Sequence, residues 1–377
     1  MRHAWTGQCC KFKAGRQRGI GLLEWVVALG LHALVLLILT QALLGARVSF
    51  SMIDATARLS DNGRFAQDVI NQSLSQASAG LPCGRAVNDP MLEQVHGIQR
   101  GPGWIPNVAV VGWEASGTQG PSWSLSVSSA GNASTGNAST HASLPPALAG
   151  RVDPQSDVLM VHRKTPVSGV IVTHLESNRL DTQRGHGLPA CSIVVLSDCT
   201  TDHTIQVSQV STRSLHWSVG NGCEPGNESL NNFDPARWPD WNRIALYQWQ
   251  AMAWFVGPEE DGQRTLYRAL FDRGQSRVRV EAMVEGIETL QVEYASHDPL
   301  QPMRWQSADA INDWRSVVGV RFGVLASARI DGAPTHEDQT TRQLLLGAEV
   351  LWPTSVGYVR TFQTAQALRG SHAVLNF

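Results

Sequence analysis

The chain has 377 residues, 42% of them hydrophobic and 16% charged, which suits a globular protein with a sizeable core. Charge is uneven: residues 1–19 hold Arg2, Lys11, Lys13, Arg16 and Arg18 and no acid, which leaves 25 basic residues against 32 acidic ones in the rest. A body of that balance is a poor partner for nucleic acid, whose affinity comes mainly from cationic neutralisation of phosphate.

Residues 20–45 are apolar apart from Glu24, His32 and a few small polar side chains. The run is long enough to span a bilayer as a helix. Its basic leader orients the N-terminus to the cytoplasm and the body to the far side. An ordinary secretory signal has a shorter apolar core and a small-x-small cleavage site, which Gln41–Ala46 does not supply. A plain signal anchor leaves Glu24 unexplained, because a carboxylate inside a membrane costs roughly 2.5–3.5 kcal/mol. Residues 46–79 contain no proline, and Val48, Met52, Ala55, Leu59, Ala66, Val69, Ile70, Leu74 and Ala77 recur at intervals close to three and four. That spacing predicts an amphipathic continuation of the same helix, with one face to bury, ended by Gly80-Leu81-Pro82.

Beyond Pro82, short runs rich in Val, Ile, Trp and Thr alternate with Gly, Pro and Asn, without a β-α-β rhythm. These features predict an antiparallel β-rich body over residues 80–377. Among its expected strands are Val108–Gly112, Asp157–His162, Ser192–Leu196, Arg243–Gln248, Met252–Val256, Leu266–Phe271, Ile287–Tyr294, Val317–Ala326 and Tyr358–Ala367. Composition marks a flexible loop at 130–150, with its repeated Gly-Asn-Ala-Ser-Thr, and further loops at 221–241 and 333–342. The Asn-x-Ser sequons at Asn132, Asn137 and Asn227 read as incidental.

Cys83, Cys191, Cys199 and Cys223 form an even, widely spaced set with no C-x-x-C pair, which reads as disulfides in an oxidising compartment. A strand over 192–198 would hold Cys191 and Cys199 on the order of 25 Å apart, too far to bridge. Each then pairs with Cys83 or Cys223, and the sequence does not choose. Asp198 beside Cys199 comes with no basic group that would make the thiol reactive. Twelve histidines show no ligand spacing, and His32 reads equally as an interhelical hydrogen bonder or a tolerated neutral side chain. Glu259-Glu260-Asp261-Gly262 reads as a solvated turn before a calcium loop. Trp238, Trp241, Trp249 and Trp254 suit a core more than an exposed binding patch. No metalloprotease, nucleotide-binding or nucleophile-elbow motif is present, so no catalytic residue, cofactor or metal is assigned.

Arg16-Gln17-Arg18-Gly19-Ile20-Gly21-Leu22-Leu23-Glu24 resembles the class III signal of type IV pilins and type II secretion pseudopilins. The resemblance implies cleavage by a prepilin peptidase between Gly19 and Ile20, N-methylation of Ile20, and a docking role for Glu24 at the fifth mature position. A freed amine and that carboxylate can pair between adjacent subunits in an apolar bundle and fix their axial register. Ile20 stands where the family usually has Phe, and Gly21 where it usually has Thr. In the body, Ser156–Val161, Leu196–Cys199, Leu266–Arg268, Val284–Tyr294, Trp314–Arg321 and Arg360–Arg369 resemble the PilW family of minor pilins, in the family's order. That implies an α+β pilin-like fold: a long helix, membrane-spanning in its first half, packed on a large antiparallel β-rich domain. It also implies a role in priming type IV pilus assembly, extending to the pilus tip. The implied partners are prepilin peptidase, sibling minor pilins, the major pilin and the inner-membrane assembly platform, with a tip adhesin by analogy. A J-type pseudopilin of type II secretion shares the helix, and a membrane-anchored adhesin that never enters a filament is the rival from another class.

Overall fold

The computed structural model describes residues 21–78, 93–96, 108–115, 123–124, 126–127, 140–141, 144–199, 201–220, 222–224, 226–227, 234–238, 240–259, 263–275, 277–298, 301–328, 340–346, 348–353 and 358–368. A single helix, Leu22–Ser75, runs 54 residues. The chain divides into two units at Asp54/Ala55, so the helix belongs to both. In the first unit every helical side chain from Leu22 to Phe50 is exposed. In the second, the helix buries a stripe of Ala55, Leu59, Gly63, Ala66, Ile70, Ser73 and Leu74, the three-and-four spacing of one face. The face expected from sequence therefore holds from Ala55 onward, whereas Val48 and Met52 are exposed. Gly63 admits the ring of Phe362, which would lie 2.0 Å from a Cβ at that position. The one polar member of the stripe, Ser73, accepts a hydrogen bond from the Trp254 indole at 3.1 Å.

The helix packs on a nine-stranded sheet and a four-stranded one. The spine of the larger is Ala245–Pro258, a single strand of 14 residues where the sequence suggested two. One of its edges pairs along Tyr247–Trp254 with Val158–Pro166. The other pairs first with Ile193–Ser197, then with Arg264–Gln275. All three pairings are antiparallel. A parallel pair is also present, Glu93–His96 against Thr201–Gln206, so the body is not purely antiparallel. The second sheet runs Gln301–Gln306, Ile287–Asp298, Val317–Ala328, Tyr358–Ala367. Its outer strand meets the helix, with Gln67 donating to the Gln363 carbonyl at 3.0 Å. A smaller sheet of Gln209–Val210, Ser214–His216, Arg179–Thr182 and Val172–Leu175 has its own core around Trp217 and Trp238.

Several stretches read as loops turn out to be structured. Within 130–150, Leu144 and Leu148 are buried and Pro146–Leu148 forms a 3-10 turn; residues 130–139 lie outside the described residues. Two apolar side chains beside prolines were enough to pin that end to the core. Thr340–Leu345 pairs with Ala348–Pro353 as a hairpin, so the loop expected at 333–342 ends in a strand. In 221–241, Asn227 is wholly buried: its amide accepts from Gln206 N and donates to Gln206 O, both at 2.7 Å. A side chain used that way leaves the sequon without a free amide. Beside it a disulfide joins Cys191 to Cys223, 32 residues apart. Cys199 is disulfide-bonded as well, and Cys83 lies outside the described residues.

Truncating Ile70, fully buried on the helix stripe, to Ala should lower stability by about 2–4 kcal/mol. Phe65→Ala, at a half-exposed position of the same helix, should change it by roughly 0.5 kcal/mol or less. Urea unfolding in detergent reads both, and equal effects would contradict the stripe. Replacing Cys191 and Cys223 together by Ala should cost about 3–4 kcal/mol in the same assay, the loop-closure value for that separation.

Candidate functional site

Two places concentrate unusual side chains, one in each unit. The first is the N-terminal part of the helix. Its most apolar 18-residue window has a mean hydropathy of 2.4, and none of that window is buried. Over Leu22–Leu44 the side chains form no pattern of one polar and one apolar face, so this length has no core of its own to join. The polar groups here are mostly satisfied within the helix. His32 Nδ1 lies 2.9 Å from the Ala28 carbonyl, and Thr40 donates to the Leu37 carbonyl at 2.9 Å. That contact accounts for His32 without a second helix. Glu24, in the first turn, differs: its carboxylate has no partner among the described residues. Gly19 and Ile20 lie outside them, so the cleavage junction and the methylation position carry no structural description.

The second place is a cavity of about 420 Å³ where the two large sheets meet, lined by Glu114, Asp157, Val292, Glu293, Trp305 and Leu346 among others. Asp157 immediately precedes strand Val158–Pro166 and is wholly buried. Its Oδ1 accepts from Ala115 N at 2.9 Å and its Oδ2 from Val292 N at 2.8 Å, so one carboxylate ties a strand of each sheet. Glu114, on strand Val110–Ala115, accepts from Ala308 N at 3.4 Å. Glu293 on the rim is committed to the Arg321 guanidinium. Arg321 in turn sits 4.9 Å over the Trp305 ring. Beside the acids lies Tyr294, wholly buried and packed edge-on against Trp314. Its hydroxyl has no hydrogen-bond partner among the described residues.

Burial and mutual repulsion govern these carboxyls. Desolvation, then the neighbouring Asp309 charge, pushes Glu114 up to about 7. Desolvation and the Glu114 charge likewise hold Asp157 above the ordinary carboxylate range, against the two backbone N–H bonds that favour its ionised form. The Tyr294 phenol is raised by burial and by both acids. Sequence reading did not single out this group. The backbone hydrogen bonds to its two acids span 42 to 194 residues of chain, and no spacing rule joins them. The only local signal was Ser156-Asp157, a polar pair opening a strongly apolar strand.

The other sequence candidates fall elsewhere. Trp238, Trp249 and Trp254 are core residues, and Trp241 packs half-buried against His174, so the tryptophan cluster is no exposed patch. The turn at Glu259 is closed by a hydrogen bond from Glu259 N to Gln263 O; residues 260–262 lie outside the described residues. Among the described residues no three His, Cys, Asp or Glu side chains converge as a metal site.

The family model for the type IV pilus-assembly protein W, PilW, matches residues 253–369. Over that C-terminal third the chain is similar to that family. The matched stretch is a structural piece. It starts within the spine strand, takes in the paired strands Arg264–Gln275 and Arg279–Glu285, and ends just past Tyr358–Ala367, the last strand of the four-stranded sheet. The PilW segment therefore supplies Gln291, Val292, Glu293, Trp305 and Leu346 to the cavity, while Glu114 and Asp157 come from before it. No curated protein and no solved structure matches the chain. The PilW match ties the chain to type IV pilus assembly, and its single N-terminal apolar helix fits a single-pass membrane anchor.

The raised Glu114 makes a signed prediction. Its folded-state value of about 7 lies above the ordinary 4.5, so the native state binds the proton more tightly between those limits. Stability should be greatest on the acid side, fall as pH rises from about 4.5 to 7, and level off above that. The total loss attributable to Glu114 is on the order of 3 kcal/mol. Glu114→Gln should flatten that slope and melt at a higher temperature than the parent at pH 8. Melting curves between pH 4 and 8 decide it; a slope as steep in the variant would remove Glu114 as its cause.

Proposed function

We propose that this chain is a minor pilin that primes type IV pilus assembly, acting without catalysis as one member of a complex of sibling minor pilins. The observation that carries the reading is the combination of a C-terminal segment that matches PilW with an apolar, exposed half-helix bearing an acid, Glu24, that has no partner among the described residues. An apolar helix with no internal core is stable only in lipid or among similar helices. On this reading a prepilin peptidase cuts between Gly19 and Ile20, Ile20 is N-methylated, and the helix moves from the inner membrane into the filament. There Glu24 meets the freed amine of a neighbouring subunit. The body, several times larger than the helix, faces the periplasm and then the cell exterior, where its bulk caps growth and favours a tip position. The assembly platform, the major pilin and a tip adhesin are the remaining partners of this scheme.

Glu24→Ala should still insert in the membrane but should lower the number of pili per cell at least tenfold, counted by electron microscopy in a strain lacking the chromosomal copy. Mass spectrometry of the purified chain should find a mature N-terminus at a methylated Ile20. An intact Arg16–Gly19 stretch, or normal piliation with Glu24→Ala, would overturn the reading.

A further inference from the structure

Lys164 is the single lysine after the leader; every other basic residue there is an arginine. We propose that its amine is joined to the Asp202 carboxyl by an isopeptide bond, formed by the two side chains themselves once the body has folded. The geometry comes first. Lys164 lies on strand Val158–Pro166 and Asp202 on Thr201–Gln206, with Ile193–Ser197 and Ala245–Pro258 between them in the nine-stranded sheet. The lysine stem reaches across that gap and brings Nζ to 3.9 Å from Asp202 Oδ2. Both side chains are buried, 7% and 5% exposed. The strands on which they sit are paired along their length, Lys164 opposite Trp249 and Asp202 opposite Ser197, so neither group can drift from the other.

As an ion pair this contact is poorly built. Two charges taken out of water need close, well-bonded geometry to offset their desolvation, and 3.9 Å is long for that. Neither Asp202 oxygen is in hydrogen-bond geometry with a partner among the described residues, although the Ser197 hydroxyl across the strand pair acts on its charge. Burial lowers the Lys164 amine and raises the Asp202 carboxyl, each against the charge of the other. Passing one proton from ammonium to carboxylate leaves a neutral amine beside a neutral acid. A desolvated lysine in that form is a nucleophile; a guanidinium, always protonated, is not. Nζ attacks Asp202 Cγ, the Cγ–OH bond breaks, and the hydroxyl departs as water with one amine proton. The new amide keeps the other N–H, so atoms balance and no oxidant or cofactor is needed. Fixed neighbours reach effective molarities of about 10⁵–10⁸ M, which offsets the advantage that water gives the free acid and amine. Ser197 stands where its hydroxyl can donate to the oxygen that gains charge. The product is neutral, so both buried charges disappear.

Mass spectrometry of the full-length chain tests this directly. The purified chain is reduced, alkylated and digested with trypsin, which cuts after Lys and Arg. The bond should block cleavage after Lys164 and join residues 164–179 to residues 185–213, in a product lighter by one water than the two peptides together. Fragmentation should place the link at Asp202. An amine-reactive ester added to the denatured chain should leave Lys164 unlabelled. Asp202→Asn should give the same linked product, because its amide loses ammonia where the acid loses water. Asp202→Ala and Lys164→Arg should give none. Cleavage after Lys164 with residues 185–213 unlinked in the parent, or a linked product that persists in Asp202→Ala, would overturn the proposal. The parent digest decides even where a variant fails to fold. Since these readouts need no filament, they stand or fall separately from the pilus reading.

Discussion

The Asp157 carboxylate is the point at which the two large sheets become one body. Its oxygens take the Ala115 and Val292 amides, its own amide donates to the Leu290 carbonyl at 2.8 Å, and the preceding Ser156 hydroxyl accepts from Leu290 N at 3.2 Å. Two residues thus tie the end of strand Val110–Ala115 in one sheet to the middle of strand Ile287–Asp298 in the other. A carboxylate suits the position because it only accepts, with two oxygens for two donors. An asparagine would turn an NH₂ toward one of those amides. Leaving either amide unpaired would cost roughly 1–3 kcal/mol.

That arrangement has a consequence for everything around it. Asp157 is buried at this junction, and Glu114 beside it is desolvated by partial burial. Glu114, one residue before the amide that Asp157 holds, cannot move away without breaking the strand Val110–Ala115. The packing that fixes the sheets therefore forces two acids together, and Tyr294 with them. The acidic cavity follows from the joint: one carboxylate chosen as a clamp, a second held beside it by register.

How much of this was readable in advance differs by element. The helix was legible because its signals are local: an apolar run, then a three-and-four repeat, then Gly80-Leu81-Pro82. The repeat misled at Val48 and Met52, whose spacing fits the stripe although the body begins at Ala55, and at Ala77, which is buried but lies past the helix end at Ser75. Tyr358–Ala367 came out at its observed bounds, since a ten-residue alternation has few competing registers. The spine strand was split in two because Trp249, Gln250 and Ala251 interrupt the alternation. A central strand buried on both faces needs no alternation. Asn227 and Leu148 were hidden for a different reason: composition reads Gly, Asn and Pro as loop, and only tertiary partners such as Gln206 show that such a loop is locked. The cavity was the least legible, because it exists only where strands far apart in sequence meet.

The helix shows the same contrast between local and distant partners. In the body half its polar side chains find defined partners far along the chain: Ser73 with Trp254, Gln67 with Gln363, and Asn62 donating to the Glu285 carbonyl at 3.1 Å. In the apolar half His32 and Thr40 turn back onto their own helix, as polar groups must where neither water nor a core is at hand. Glu24 can do neither. An ionised carboxylate has no proton to donate to a preceding carbonyl, and Glu24, in the first turn, has no partner among the described residues. On the proposed reading its charge is met by the neighbour's amine. Only one axial offset brings such an amine to the level of a single acid, so the helix would carry its own register mark in a length otherwise too uniform to have one.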